Sequence, residues 1–393
     1  MTHILPVYAK SKYSFERGEN IYLYDKNGKK YLDFASGIGV NSMGHCHPHL
    51  VKALQDQAAK LWHVSNMYSI QGYEELAERV TKASKFAHYM FMCNSGAEAV
   101  ECGMKAIRKY HDETGNPHKY RIITFHGAFH GRTLGCISAA GKEKLMKGFE
   151  PAADGFDQVE FGNLEAVKKA INENTAGILV EPVQGEGGIR PCSDEFLQGL
   201  RKICDENNLI LMFDGVQCGM GRTGKFFSHE WANVHPDISS SAKGIGSGFP
   251  VGACLLNKKV GDTMTVGSHG STYAGNPLAV AVCHAVMDIM LAEGFLENVV
   301  EVGNYLMQGL RNLVTKYPNY LLEVRGKGLM IGLKINSEKF KEVKEFADGL
   351  REVGLLTAPA ADSVVRFLPP LILTKAQADE GLQVLDVYLS SIK

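Results

Sequence analysis

The chain has 393 residues, with 42 Lys plus Arg against 43 Asp plus Glu. This length allows a large core and two domains, and the balanced charge argues against nucleic acid or an anionic membrane as the main partner. We expect neither a signal peptide nor a membrane span, because no basic-then-apolar leader pattern and no long apolar window occur. Nine scattered cysteines without a Cys-x-x-Cys pair predict free thiols in a cytoplasmic protein.

Strand and helix patterns alternate through most of the chain. A hairpin is predicted around Asn27-Gly28, and helices are predicted at 48–63 and 73–84 from their apolar spacing. The following segments then alternate as strand and helix: 89–94, 96–110, 120–126, a helix near Lys142, 177–183, 193–208 and 209–214. This βαβα order predicts a mostly parallel sheet covered by helices on both faces.

The last third of the chain has a different pattern. Helical spacing at Leu278–Leu291 and Leu296–Tyr317 is followed by shorter strand-like pieces and one predicted helix from about Ser337 to Val353. The predicted fold class is therefore α/β, with a large domain and a smaller α+β domain. The predicted division is an N-terminal segment at 1–48 that packs with the small domain, a large domain at 49–285 and the small domain at 286–393.

Two charged side chains follow predicted strands. Asp214 ends the apolar run LILMF, and ligands of open α/β sheets bind at the carboxyl ends of strands. Lys243 follows Ser-Ser-Ser-Ala and precedes Gly244, Gly246 and Gly248. These glycines lack a dinucleotide-binding spacing, and we expect them to leave room around the lysine. A solvated lysine is the ordinary alternative, but a desolvated one is a Schiff-base nucleophile. The pair predicts a site that holds a cation and uses an amine.

Asn94–Ala99 (NSGAEA) lies where a strand gives way to a helix. Small residues and free backbone N–H groups at a helix N-terminus favour a phosphate. An ordinary helix cap at Ser95 is the alternative explanation of the same pattern.

The segment His126–Arg132 follows the next predicted strand. Its two histidines lack the acidic residue of an HExxH motif and any third ligand, and the histidines at 44–49 are spaced too tightly for zinc, so no metal is predicted. Phe129 and Arg132 are better interpreted as a stacking ring and a fork for a carboxylate. The loop Glu181–Gly188 ends another strand, where a substrate would lie, although Pro and Gly alone would explain a turn there.

Several segments together resemble the class III (ω-amino) aminotransferases that use pyridoxal phosphate (PLP), and among them the bacterial members that act on N2-acetylornithine. The resemblance is carried, in the family's order, by GHCHP (44–48), LWHVSN (61–66), NSGAEA (94–99), AFHGRT (128–133), VEPVQGEGG (180–188), DGVQCGMGRTG (214–224), SAKGIGSGFP (241–250) and GSHGSTYAGNPL (267–278). It implies the fold type I of PLP-dependent transferases.

The resemblance also implies roles for single residues. Lys243 would hold PLP as an aldimine, and Asp214 would keep its pyridine nitrogen protonated, which makes the ring an electron sink. The other implied cofactor contacts are Gly96 and Ala97 at the phosphate, Phe129 and Val216 on the two ring faces, Gln217 at the 3-hydroxyl, and Thr272 at the phosphate of the neighbouring subunit. The implied substrate contacts are Arg132, Glu186, Ser271 and Arg366. Glu186 would pair with Arg366 and mask its charge when an ω-amine is bound.

The implied reaction is transamination of N2-acetyl-L-ornithine with 2-oxoglutarate, giving N-acetyl-L-glutamate 5-semialdehyde and L-glutamate in arginine biosynthesis. The mechanism would be ping-pong, in a homodimer with shared active sites and only small-molecule partners. Ornithine, 4-aminobutyrate and succinyldiaminopimelate are alternative donors. A catalytically weakened PLP-binding protein is a further alternative, because Gly215 stands where the family usually has Glu. Ala97 stands where many members have Thr, so one possible phosphate contact is lost while the backbone donors remain.

Overall fold

The computed structural model describes residues 3–9 and 11–392. The strands are β1 (Phe15–Glu19), β2 (Tyr22–Asp25), β3 (Lys30–Asp33), β4 (Tyr89–Cys93), β5 (Arg121–Phe125), β6 (Phe156–Val159), β7 (Thr175–Val180), β8 (Val183–Gln184), β9 (Arg190–Pro191), β10 (Ile210–Asp214), β11 (Ile238–Ser241), β12 (Gly252–Leu256), β13 (Leu321–Lys327), β14 (Met330–Ile335), β15 (Leu355–Leu356), β16 (Ala358–Ala360) and β17 (Val364–Phe367).

The helices cover most of the segments between these strands. They are α1 (Ser36–Gly39), α2 (Pro48–Ala58), α3 (Tyr73–Ser84), α4 (Gly96–Glu113), α5 (Leu134–Ala140), α6 (Glu143–Met146), α7 (Leu164–Ala170), α8 (Asp194–Asn207), α9 (Lys258–Gly261), α10 (Pro277–Met290), α11 (Phe295–Lys316), α12 (Val343–Glu352) and α13 (Lys375–Ser391). Lys243–Ile245 forms a short 3₁₀ helix.

A seven-stranded sheet with the order β4-β12-β11-β10-β7-β5-β6 forms the centre of the molecule. The pairs from β11 to β6 are parallel, whereas β12 is antiparallel to both of its neighbours. The α/β prediction with a mostly parallel sheet is confirmed. Every residue of β7 and β10 is buried, as expected for strands covered by helices on both faces. Each buried Leu or Ile there contributes about 1.5–3 kcal/mol.

Smaller sheets join distant parts of the chain. The sheet β13-β14-β17-β16 lies in the C-terminal part, and the sheet β1-β2-β3-β15 joins the N-terminal hairpin to it. Leu32 and Asp33 pair in parallel with Leu355 and Leu356. The N-terminal strands thus pair with a C-terminal strand, while the boundaries at residues 48 and 285 stay predictions.

The predicted hairpin around Asn27-Gly28 is present, but its loop spans Lys26 to Lys29 rather than two residues. The Asp25 carboxylate accepts the N–H groups of Asn27 and Lys29 at 2.9 and 3.0 Å. This side-chain turn accounts for the longer loop.

The expectation of one helix after residue 321 was wrong. Helix α13 follows the last strand, and it starts with a capping box in which Thr374 and Gln377 satisfy each other's backbone N–H groups. Helix α12 begins at Val343 rather than near Ser337. The Asn336 carboxamide accepts the N–H of Glu338 at 2.9 Å, a local bond that competes with a helical start.

Within residues 3–9 and 11–392, no single helix is long and apolar enough to cross a membrane. The pair α10 and α11, bent by 70°, meets the criteria of length and composition jointly.

Candidate active site

A cavity of about 330 Å³ lies at the carboxyl edge of the central sheet. Strands β4, β5, β7, β10 and β11 end there, so the polar residues that follow them converge. Seven of the eight residues predicted to contact a cofactor line it: Gly96, Ala97, Phe129, Asp214, Val216, Gln217 and Lys243. The structure thus brings these residues together, while their individual contacts with a cofactor stay predictions.

Asp214 is buried at the end of β10 and has both carboxylate oxygens engaged. Its Oδ1 accepts the Val216 N–H at 3.0 Å and the Ser240 hydroxyl at 3.1 Å. Its Oδ2 lies 2.8 Å from Nδ1 of His130, whose side chain is fully buried. Because a carboxylate only accepts, Nδ1 carries the proton of this bond. The three donors fix the orientation of the carboxylate.

Lys243 opens its 3₁₀ turn with a φ of +48°, a left-handed conformation that a lysine rarely adopts. Such backbone costs about 1–3 kcal/mol and occurs where the surroundings impose it, often at functional sites. The side chain faces the cavity and is only partly exposed, with protein atoms close around its ammonium. Desolvation, helped by the positive charge of Arg366, lowers the pKa of Lys243 to about 8. Much more of the amine is therefore neutral near neutral pH than in a solvated lysine.

The N-terminus of α4 forms one wall of the cavity. The Ser95 hydroxyl caps the helix by accepting the Glu98 N–H at 3.2 Å, so the ordinary-cap interpretation holds as well. The preceding N–H groups, of Gly96 and Ala97, have no acceptor in the described chain. A Cβ on Gly96 would lie 2.7 Å from Cγ1 of Val216. The wall therefore needs glycine there, and it presents free donors suited to an anion.

The expected clearance around Lys243 is not provided by Gly244 or Gly246, whereas Gly248 lines the cavity together with the lysine. A Cβ on Gly246 would lie 2.2 Å from the Phe249 carbonyl oxygen, and one on Gly244 would lie 3.0 Å from the Met220 Cβ. These glycines permit close packing of the chain behind the lysine, and Gly248 has a φ of +112°. Gly244 and Gly246 thus shape the backbone that holds Lys243, and Gly248 borders the cavity.

Arg366 on β17 is buried beside the cavity and paired with Glu186. Its Nη1 lies 2.5 Å from Glu186 Oε1 and donates to Gln217 Oε1 at 3.2 Å. Its Nη2 donates to the Pro359 carbonyl at 2.9 Å. Glu186 is considerably more exposed than the arginine, at 30% against 2% of the side chain. The pair can therefore open by movement of the glutamate, while the arginine stays in place.

Three other predicted residues do not line the cavity. Arg132 is exposed, with its guanidinium 5.7 Å from the centre of the Phe129 ring. The Ser271 hydroxyl accepts from Asn94 Nδ2 at 2.9 Å, which connects it to the cavity wall. Thr272 is exposed and contributes nothing to the cavity of its own chain. Their roles toward a substrate or a neighbouring subunit stay predictions.

Sequence reasoning placed the loop that starts at Glu181 near a substrate but gave neither Glu181 nor His130 a role of its own. Both line the cavity, and the Glu181 carboxylate accepts the Phe129 N–H at 3.2 Å. Burial, with the Asp214 charge nearby, raises the pKa of Glu181 to about 7. A signal was present, because Glu181 follows the apolar run GILV as Asp214 follows LILMF. For His130 no local signal existed, since its partner lies 84 residues away.

The family model described as aminotransferase class-III matches residues 6–389. The chain belongs to the class-III aminotransferases. It is 51% identical over 389 residues to the acetylornithine aminotransferase of Agrobacterium fabrum, covering 99% of this chain and 96% of that relative.

Solved structures of other aminotransferases superpose on nearly the whole chain. The N-acetylornithine aminotransferase of Stenotrophomonas maltophilia has a TM-score of 0.85 at 35% identity and covers 97% of this chain and 96% of its own. The ornithine aminotransferase of Toxoplasma gondii, described with partial occupancy of PLP at its active site, has a TM-score of 0.93 at 28% identity. It covers 99% of this chain and 92% of its own.

The family and this PLP-containing neighbour imply PLP as the cofactor, and the cavity of this class-III aminotransferase fits it. The anionic Asp214 suits a protonated ring nitrogen, the free N–H groups of Gly96 and Ala97 suit a phosphate, and Lys243 supplies an amine. When bound, PLP supplies an electron sink for the bonds of the substrate's reacting carbon.

The protein's own contribution is positioning and proton handling. Asp214, fixed by His130, holds a negative charge at one end of the cavity. Lys243 has an amine that accepts or releases a proton near pH 8 and lies in the same cavity. Arg366 holds a positive charge beside Gln217, which Glu186 neutralises.

Proposed function

We propose that this class-III aminotransferase transfers the δ-amino group of N2-acetyl-L-ornithine to 2-oxoglutarate. The products are N-acetyl-L-glutamate 5-semialdehyde and L-glutamate, and the place of the reaction is arginine biosynthesis. The proposal is supported by the 51% identity to a relative named acetylornithine aminotransferase. The observation that carries it is the ion pair of Arg366 and Glu186.

This ion pair suits two unlike substrates. The reacting carbon of acetylornithine bears no carboxylate, whereas that of 2-oxoglutarate has one directly attached. A buried arginine left unpaired in the first half-reaction would cost several kcal/mol. Glu186 neutralises Arg366 at 2.5 Å, and its partial exposure allows it to leave when an α-carboxylate takes its place. One site then serves both half-reactions in turn.

Initial rates test the proposal. We expect the highest kcat/KM with acetylornithine, compared with ornithine, 4-aminobutyrate and succinyldiaminopimelate, each with 2-oxoglutarate as acceptor. A higher value for ornithine would favour the second candidate, which the fold similarity to an ornithine aminotransferase supports. Bound cofactor with no turnover of any donor would support the alternative of a catalytically weakened PLP-binding protein, which Gly215 suggests. A Cβ at Gly215 would lie 2.8 Å from the Ser240 carbonyl oxygen.

The ion pair has its own test. Arg366→Gln should raise KM for 2-oxoglutarate by about 10²-fold through loss of a charged hydrogen bond, with a much smaller change for acetylornithine. Arg325→Gln is the matched control, because Arg325 lies on β13 and bonds Gly188 and Asp362 rather than cavity residues. Equal changes in KM for both substrates would contradict the masking role.

We further propose a homodimer with shared active sites, located in the cytoplasm. Four large apolar side chains are 60–82% exposed: Trp62, Met67, Tyr68 and Tyr273. The segment 62–68 contacts Tyr273 through His63, whose ring centre lies 5.3 Å from that of the tyrosine. This apolar surface adjoins Thr272, and exposed apolar patches often mark interfaces. All nine cysteines are free thiols, which is typical of a reducing compartment.

Sedimentation velocity tests the dimer. Met67→Glu should yield monomers that also bind PLP weakly, because Thr272 would no longer reach the neighbouring site. Val387→Glu, at a position 59% exposed on α13, is the control and should remain dimeric. A monomeric wild-type enzyme with full activity would contradict the proposal, and cell fractionation tests the compartment.

A further inference from the structure

Arg222 lies in the segment after β10 and is among the largest fully buried side chains, with 2% of the residue exposed. Burial lowers the pKa of Arg222 to about 9, so the guanidinium is still charged near neutral pH. No carboxylate in the described part of the chain offsets that charge, and Nη2 has no hydrogen-bond partner among the same residues. Burying a charge without a countercharge is unfavourable. Sequences keep such local costs mainly at functional or strained sites.

The polar contacts of the Arg222 side chain are two backbone carbonyl groups. Its Nη1 donates to the Leu329 oxygen at 3.1 Å and to the Pro369 oxygen at 2.5 Å. The Leu329 N–H donates in return to the Arg222 carbonyl oxygen at 3.0 Å. Leu329 directly precedes β14, and Pro369 lies two residues after β17. These strands pair antiparallel with Ile331 opposite Phe367, so the guanidinium joins the two strands just where their pairing ends.

The turn that contains Arg222 also carries a residue of the active-site cavity, Gln217. Within this turn the Gly219 N–H donates to the Gly215 oxygen at 2.8 Å, and the Arg222 N–H donates to the Gly219 oxygen at 3.2 Å. Gln217 Oε1 accepts from Arg366 Nη1 at 3.2 Å, and Arg366 lies on β17. The turn and β17 are therefore linked twice, by Gln217 in the cavity and by Arg222 at the end of the strand.

The backbones next to Arg222 are in close contact. A Cβ on Gly328, which has a φ of +58°, would lie 2.4 Å from the carbonyl carbon of Thr223. The start of β14 thus lies directly against the residue that follows Arg222. Because packed backbones leave little free space, a change at Arg222 should displace the strand ends rather than be absorbed locally.

We propose that Arg222 is a positioning residue for Arg366. Its bonds to the two strand ends fix β17 against the turn that carries Gln217, and thereby fix the position of Arg366 in the cavity. This role rests on the proposed function, in which Arg366 binds a carboxylate of 2-oxoglutarate and Glu186 masks it when acetylornithine is bound. Loss of Arg222 should therefore impair the half-reaction with 2-oxoglutarate more than the half-reaction with acetylornithine.

The test compares Arg222→Met and Arg222→Lys in the full-length holoenzyme. Methionine removes the charge and the donors, whereas lysine keeps a charge and can donate to a carbonyl oxygen. We expect Arg222→Met to raise KM for 2-oxoglutarate by about tenfold, because a small misplacement of a binding group is costly. KM for acetylornithine and the absorption of bound PLP should stay near the wild-type values. Arg222→Lys should restore most of the affinity for 2-oxoglutarate.

Arg201→Met is the control, because Arg201 on α8 bonds Asp237 at 2.9 Å, away from the cavity. It should lower Tm and leave both KM values unchanged. Equal changes in both KM values for Arg222→Met, or a lower Tm with KM for 2-oxoglutarate unchanged, would overturn the positioning role. If Arg222→Met does not fold, Arg222→Lys decides: it should show a smaller but selective rise, and a wild-type KM for 2-oxoglutarate would overturn the role.

Arg366→Gln distinguishes this role from the proposed function. A selective rise of KM for 2-oxoglutarate in Arg366→Gln, without one in the Arg222 variants, would overturn the positioning role and leave the proposed function in place. No selective rise in Arg366→Gln would overturn both.

Discussion

Asp214 and Glu181 occupy equivalent places in the central sheet and differ in the hydrogen-bond donors around them. Asp214 is the last residue of β10 and Glu181 directly follows β7, and these two buried strands pair in parallel with Phe213 beside Val180. Asp214 has three donors, from Val216, Ser240 and His130. Glu181 has one, the Phe129 N–H, and burial raises its pKa to about 7. Position at a strand end brings a carboxylate to the cavity, but only the folded surroundings decide how many donors it meets.

Removal of the anion should have the largest effect. Asp214→Asn should lower kcat by about 10³-fold or more, because a fixed charge in a water-poor site is lost, and it should weaken PLP binding measured by absorption. Asp237→Asn is the control, since Asp237 is a buried carboxylate that bonds Leu211 and Arg201 away from the cavity. That variant should melt at a lower temperature yet keep PLP affinity. Equal loss of PLP in both variants would contradict a specific role of Asp214.

His130→Phe tests whether the third donor distinguishes the two carboxylates. Loss of a hydrogen bond to a charged group costs about 1.5–3 kcal/mol, so kcat should fall by about 10- to 100-fold and the absorption spectrum of bound PLP should change its pH dependence. His126→Phe, at an exposed position four residues away, is the matched control. An unchanged pH dependence together with lower kcat would indicate that His130 only supports packing.

Glu181→Gln should have a smaller effect that depends on pH. Below pH 6 the wild-type carboxyl is protonated, because its pKa is raised to about 7, and the amide is a close substitute. Above pH 7 the wild type gains a charge and the kcat/KM profiles should separate by a few-fold. The folded state holds this proton more tightly than the unfolded state, so stability falls as pH rises toward 7. Between pH 5 and pH 8, the Tm of Glu181→Gln should therefore fall by less than the Tm of the wild type.

The smallest expected effect concerns Lys243, whose pKa responds to charges around the cavity. Apoprotein should capture PLP faster as pH rises, with a midpoint near 8, because the neutral amine is the nucleophile. Arg366 lowers this pKa, whereas Asp214 and Glu181 raise it. Stopped-flow absorption should therefore show a higher midpoint for Arg366→Gln and a slightly lower one for Glu181→Gln. Shifts in the opposite directions would contradict this electrostatic account.

Much of the fold could be predicted from the sequence because it follows from local pattern. Continuous apolar runs such as LILMF and GILV predict strands buried on both faces, and Asp214 at the end of one of them predicts a site. The order of motifs from 44 to 278 predicted the family, which the match to residues 6–389 confirms. Helix α13 was also within reach, since Thr374 and Gln377 form a capping box that was not recognised.

Other features depended on contacts between residues far apart in the chain. His130 fixes Asp214 across 84 residues, and Arg366 meets Glu186 across 180. Gly246 is required because a Cβ there would lie 2.2 Å from the Phe249 carbonyl oxygen, which only the folded turn brings so close. The sequence by itself determined which residue types stand at the strand ends, because strand period and hydrophobic burial are local properties. Only the tertiary structure decided which donors each carboxylate meets, because most of those donors come from residues far away in the chain.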